Sequence, residues 1–159
     1  MKKLVYGLLL LVCFNWGCDI DDICTEPITP KLILRFYDAT DTSVVKKAER
    51  LSVIAASKTD SLFTSQSTDS IALPLNTNTT QTVYKLKTNT VSGNIADNKI
   101  NTLTITYQTK DIYVSRSCGY KTIFNNVTIT SDNGWFTSFT PNTLTTINNE
   151  TAAHVKVYH

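Results

Sequence analysis

Thr102-Leu103-Thr104-Ile105-Thr106-Tyr107 is the stretch that decides the fold class. Successive side chains of an extended chain point to opposite faces, so Leu103, Ile105 and Tyr107 share one face and the three threonines the other. Such alternation predicts a strand with one buried and one polar side. The same period recurs along the chain. Leu32, Leu34 and Phe36 alternate with Ile33, Arg35 and Tyr37, Val127 and Ile129 with Thr128 and Thr130, and Val155 and Val157 with His154, Lys156 and Tyr158. Further strands are predicted at 51–56, 61–64, 70–75, 82–87, 112–115 and 121–125. Turn signals separate them at 76–80, at 93–98, at Lys110-Asp111 and at Asp132-Asn133-Gly134. The last reads as a hairpin turn, because these residues tolerate positive φ. Pro74 fits an edge strand or a strand end, where no ladder N–H is needed.

Composition agrees. The 159 residues include 26 Thr and 13 Asn, the first favouring pleated half-exposed positions and the second turns. A hydrophobic share of 42% with 18% charged excludes collagen-like and highly charged disordered chains. One segment is ambiguous. Apolar residues at 44, 45, 48, 51, 54 and 55 approach helical spacing, and Lys46, Lys47, Glu49 and Arg50 favour helix. Its place between strand patterns predicts a short helical turn or loop at 43–49 and then a strand. About eight to ten short strands with no long helix predict an all-β fold, an antiparallel β-sandwich, immunoglobulin-like or a related Greek key. An outer-membrane barrel needs strands of about 9–11 residues with apolar outer faces, and these are too short and too rich in Thr.

The N-terminus reads as an address. Lys2 and Lys3 precede an apolar run from Leu4 to Phe14, interrupted by Gly7. That run is too short to cross a bilayer, which takes about 20 residues, and has the length of a signal peptide's apolar region. Asn15-Trp16-Gly17-Cys18 comes next, and Gly-Cys at this place resembles a bacterial lipobox, although Asn15 and Trp16 stand where that pattern usually has Leu and a small residue. The resemblance implies lipidation of Cys18 and cleavage before it. The expected organisation is therefore a signal peptide at 1–17, a lipid-anchor tether at 18–30 and a β-sandwich at 31–159. Asp19, Asp21 and Asp22 read as a solvated spacer, and also resemble the acidic export signal of surface lipoproteins in Bacteroidota-type bacteria.

Losing the leader removes Lys2 and Lys3 and leaves 13 basic against 13 acidic side chains. A neutral chain without a basic run argues against a nucleic-acid partner. Cys13 leaves with the leader and Cys18 is taken by lipid, so Cys24 and Cys118 remain as an even pair outside the cytosol. A Cys24–Cys118 disulfide is the simplest outcome, with a metal pair or a reactive thiol as rivals. There is no C-x-x-C, and a four-ligand zinc site would have to use both His154 and His159. Neither a metal nor a cofactor is expected.

Arg116-Ser117-Cys118-Gly119-Tyr120-Lys121-Thr122-Ile123-Phe124-Asn125-Asn126-Val127 resembles the hallmark of a group of uncharacterised Bacteroidota lipoproteins. Ile71-Ala72-Leu73-Pro74-Leu75-Asn76, Ile147-Asn148-Asn149-Glu150 and His154-Val155-Lys156-Val157-Tyr158 are similar to it too. The resemblance implies a lipoprotein with a domain of unknown function. Asp60-Ser61-Leu62 and Asp69-Ser70-Ile71 resemble the short O-glycosylation motif of such bacteria.

Read from the residues, Gly119 permits a backbone that a Cβ would block, and Tyr120 can bury its ring and keep its hydroxyl at the rim. The bland reading of this segment is a disulfide corner stapling two sheets. The functional reading is a polar site around Arg116, Tyr120, Lys121 and Asn125, with Asn125-Asn126 fitting a bulge or turn. Trp135, Phe136 and Phe139 fit either core or an aromatic platform for sugar or protein. No G-x-S-x-G, H-E-x-x-H, phosphate loop or EF-hand spacing occurs, and His154 lacks a sequence-evident partner. The expected protein is a non-enzymatic outer-membrane lipoprotein of the cell envelope, periplasmic or surface-exposed. Its expected partners are the membrane through its lipid, and an envelope protein or a glycan. A small carbohydrate-binding module is the alternative, and an envelope hydrolase a further one.

Overall fold

Leu103, Ile105 and Tyr107 are buried, while Thr102 and Thr104 are half-buried and Thr106 is exposed, as the alternation requires. They lie in the longest strand of a computed structural model that describes residues 23–25, 29–89, 96, 98–132 and 134–159. The leader, Cys18 and the acidic cluster lie outside the described residues, as does most of the turn at 93–98. Ten strands are described: β1 (Leu32–Tyr37), β2 (Ala48–Ala55), β3 (Ser61–Thr68), β4 (Ser70–Leu73), β5 (Gln81–Thr88), β6 (Lys99–Ser115), β7 (Gly119–Ser131), β8 (Ser138–Thr140), β9 (Thr143–Ile147) and β10 (Val155–Tyr158).

They form a four-stranded sheet, β4-β1-β10-β8, and a six-stranded sheet, β3-β2-β5-β6-β7-β9. Inward residues of the first, among them Leu32, Leu34, Phe36, Ile71, Val155 and Val157, pack in one cluster with Leu51, Leu86, Ile105, Phe124, Val127 and Ile129 of the second. Each such side chain contributes roughly 1.5–3 kcal/mol on burial, so this shared layer holds the two sheets face to face as a β-sandwich. Tyr84 and Tyr107 add polar ties. The Tyr84 hydroxyl donates to the Pro74 carbonyl, and the Tyr107 hydroxyl donates to the Asn76 carbonyl at 2.8 Å. Both rings thus fasten the crossover beyond β4 onto β5 and β6. Burial pushes the Tyr84 hydroxyl up to about 12, with Tyr107 adding to the shift.

Several expectations need correction. The sandwich is dominated by antiparallel pairs, but β1 and β10 run parallel, with Leu34 opposite Val155 and Phe36 opposite Val157. β1 leads into β2 and β10 follows β9, both of the six-stranded sheet, so no hairpin joins β1 to β10 and forces them antiparallel. Lys110-Asp111 is not a turn. Lys110 faces Ile123 and Asp111 faces Thr122 inside one continuous β6–β7 hairpin, where the Thr122 hydroxyl donates to Asp111 Oδ1 at 2.6 Å. Asp132-Asn133-Gly134 does not close a hairpin: the chain there leaves the six-stranded sheet for β8 in the other. Gly134 is needed for close approach, since a Cβ would collide with the Ile100 carbonyl and the Asn101 side chain. The strands β8 and β9 escaped the sequence reading, being short and, in β9, rich in Thr.

Residues 43–47 form a loop with no helical turn, and β2 begins at Ala48, two residues inside the expected loop. Short polar side chains take the backbone donors that a helix would use. Asp38 Oδ1 accepts from the amides of Thr40 at 2.7 Å and Asp41 at 3.2 Å, and Asp41 Oδ1 from that of Ser43 at 3.1 Å. Hydrogen bonds from Thr40, then from Lys46, hold the Asp38 carboxyl far below the usual carboxylate range.

Candidate functional site

The hairpin β6–β7 outgrows the sheet that carries it. The partner of β6 on one side ends where Gln81 meets Thr106, and the partner of β7 on the other ends where Ile147 meets Phe124. Beyond these points residues 110–115 and 119–123 pair only with each other, forming a two-stranded arm about 20 Å long at roughly 3.3 Å per residue. A bulge marks its base. The register steps from Thr106–Thr128 to Gln108–Asn125, and Asn126 takes up the extra residue at φ 50°. Its side chain donates to Gln108 Oε1 at 3.1 Å, fixing the bend. A bulge of this kind increases local twist and re-aims the strand beyond it.

Along the arm Tyr113 and Tyr120 face each other in register, both exposed, with ring centroids 5.5 Å apart and edge to face. At the tip the Cys118 amide donates to Ser115 Oγ at 3.1 Å, and Gly119 turns the chain at φ 69°. No atom crowds a Cβ at Gly119, so glycine is required there by conformation rather than by space. Cys118 forms a disulfide with Cys24, with Cα atoms 4.8 Å apart. The cystine therefore fastens the segment before β1 to the tip of a hairpin within one sheet. It does not staple the two sheets, because Cys118 sits in the β6–β7 turn and not in a strand.

Four of the five candidate binding residues share this arm. Arg116 is exposed in its turn, Tyr120 opens β7, and Lys121 Nζ donates to the Asn148 carbonyl at 3.3 Å. Asn125 lies at the base, between Gln108 of β6 and Thr146 of β9. Trp135 is elsewhere, at the opposite end of β6. Its indole packs on Phe36 and Phe136, with centroids at 5.7 and 4.5 Å, and Nε1 donates to the Leu86 carbonyl at 3.1 Å. Trp135 is thus mainly a plug for the far pole of the core.

Asn101 holds that pole together, and the sequence reading missed it. It is fully buried in β6. Its Nδ2 donates to Ser131 Oγ at 2.9 Å and to the Asp132 carbonyl at 2.8 Å, while Oδ1 accepts from the amides of Trp135 at 2.5 Å and Phe136 at 3.0 Å. An Asn preceding a clean apolar alternation, across from an Asp-Asn-Gly turn, was the available signal. Beside it lies a cleft of about 310 Å³ lined by Lys46, Lys47, Glu49, Asn89, Lys99, Trp135 and His159.

His154 has a structural partner. The Ile33 amide donates to its Nδ1 at 2.9 Å, and the His154 amide donates back to the Ile33 carbonyl at 2.9 Å. Burial pushes its pKa below the usual imidazole value, against opposing effects of Asn149 and Glu150. Ser61 and Ser70 are both exposed at the starts of edge strands. Among the described residues, no group of three or more His, Cys, Asp or Glu gathers as metal ligands.

No curated protein and no solved structure matches this chain. The model of a family of unknown function, DUF6452, matches residues 50–159, which include β3 through β10, the arm and its cysteine. The chain belongs to that family of unknown function.

Proposed function

We propose that this protein is a lipid-anchored component of a bacterial cell envelope, held at the outer membrane by an acylated Cys18. Its β-sandwich serves binding or structural assembly rather than catalysis. The carrying observation is the Cys24–Cys118 disulfide. Cystines form and persist outside the reducing cytosol. This one lies six residues past the cysteine that the leader pattern offers for lipid. The similarity of the Arg116–Val127 stretch to Bacteroidota lipoproteins supports the same assignment and the same source. His154 supports the non-catalytic reading, because its Nδ1 is occupied by the Ile33 amide. Trp135 argues against a saccharide platform, since its indole is engaged by Phe36, Phe136 and the Leu86 carbonyl.

Metabolic labelling with an alkyne fatty acid tests the anchor. The wild type takes up label and Cys18→Ala does not. An unlabelled wild type, or equal label on both, overturns the proposal.

A further inference from the structure

The structure points to the tip of the β6–β7 arm as a surface that rests in the head-group layer of a bilayer. We infer that Tyr113, Tyr120 and Ile23 contact lipid while the opposite pole of the sandwich is held away from it. This rests on the reading of Cys18 as the acylated residue. Among the described residues, the three most exposed large apolar or aromatic side chains are Ile23 at 83%, Tyr120 at 65% and Tyr113 at 58%. All three belong to one end of the molecule. Ile23 adjoins Cys24, which is bonded to Cys118 at the arm's turn, and the two tyrosines stack on the arm itself. The other exposed large apolar side chains, Val44 at 50%, Leu62 and Ile100 at 43% and Val45 at 37%, are less exposed and lie apart in the loop before β2, in β3 and at the far end of β6, so the concentration of the three most exposed at one projecting tip calls for a covering partner.

The tether decides which partner. Cys24 lies six residues after Cys18, and an extended chain covers at most about 3.6 Å per residue, or roughly 20 Å in all. A lipid on Cys18 therefore holds the tip within about 20 Å of its own head group, whatever path the tether takes. The other end of β6, where Lys99 and Asn101 lie, is about 50 Å further along a strand of 17 residues. Tyr is enriched where a bilayer meets water, because its ring is apolar and its hydroxyl stays hydrated. Arg116, exposed in the turn, offers a guanidinium for lipid phosphate. The disulfide gives the arrangement its geometry: without it the tether would be joined only to β1 at the sandwich body.

The test uses the full-length lipoprotein, extracted from native membranes and reconstituted in vesicles of phosphatidylethanolamine and phosphatidylglycerol that carry a head-group nitroxide lipid. Tyr120→Trp reports on the tip, and the native Trp135 reports on the far pole. Expected is about a twofold or greater fall in emission from position 120, with Trp135 emission unchanged. Tyr113→Trp is the second reporter, at the facing position on β6. Acyl label is read on the same samples. Labelled protein with no quenching at either tip position overturns the head-group contact and leaves the anchor standing. Quenching of Trp135 equal to that at the tip overturns the orientation. Absence of acyl label removes the anchor and the inference with it.

Discussion

At the scale of single residues, polar side chains with fixed partners hold this sandwich closed. Asn101 satisfies the backbone amides of Trp135 and Phe136 from a fully buried position. Asn101→Leu keeps the volume and removes the acceptor. Each buried amide left without a partner costs about 1–3 kcal/mol, so a loss of roughly 3–5 kcal/mol is expected, or about 10 °C or more in Tm. Thermal unfolding checks this, and a change of under about 1 kcal/mol would contradict it. His154 carries a pH dependence. Burial lowers its folded pKa, and that of His159 likewise, below the unfolded value of about 6.5. The unfolded chain then binds protons first, so this contribution is complete above about pH 6.5 and is lost as pH falls below it. Protonation at Nδ1 would also cost the Ile33 hydrogen bond. Tm is expected to decline from pH 7.5 to pH 5, and His154→Asn, which keeps an acceptor without titrating, flattens the decline. A Tm that rises on acidification through this range would contradict the assignment.

At the scale of elements, alternation in the sequence named β1 correctly from Leu32 to Tyr37 and placed the inner faces of β6, β7 and β10. It failed where the chain has one wet side and no core to read. Beyond Tyr107 the exposed run Gln108-Thr109-Lys110-Asp111 looks like a turn, since nothing there is buried to set a period. It is instead the stem of the arm, stabilised by cross-strand pairs such as Asp111 with Thr122. The cysteine pair was legible by counting alone, whereas the place where it closes was not, because Cys24 and the arm's tip meet only in three dimensions. Removing the cystine by Cys118→Ser frees the segment before β1. Chain entropy for a separation of 94 residues sets an upper limit of about 4–5 kcal/mol on the loss. Denaturant midpoints with and without reductant check this: the wild type should weaken on reduction and the variant should not change. Equal sensitivity of both to reductant would show that the cystine is not the cause.

At the scale of the whole molecule, the two ends of β6 divide the labour. One end carries the cystine and the paired tyrosines; the other carries Asn101, Trp135 and a cleft with Lys46, Lys47 and Lys99. Membership in a family of unknown function fixes no activity, and the proposed role depends on the proposed anchor at Cys18. Intact-mass spectrometry of the protein from native membranes tests this most directly. A chain beginning at Cys18, heavier by a diacylglycerol and an acyl group and lighter by the two hydrogens of one cystine, is the predicted result. A chain beginning at Met1, carrying no lipid and both later thiols reduced, would contradict it.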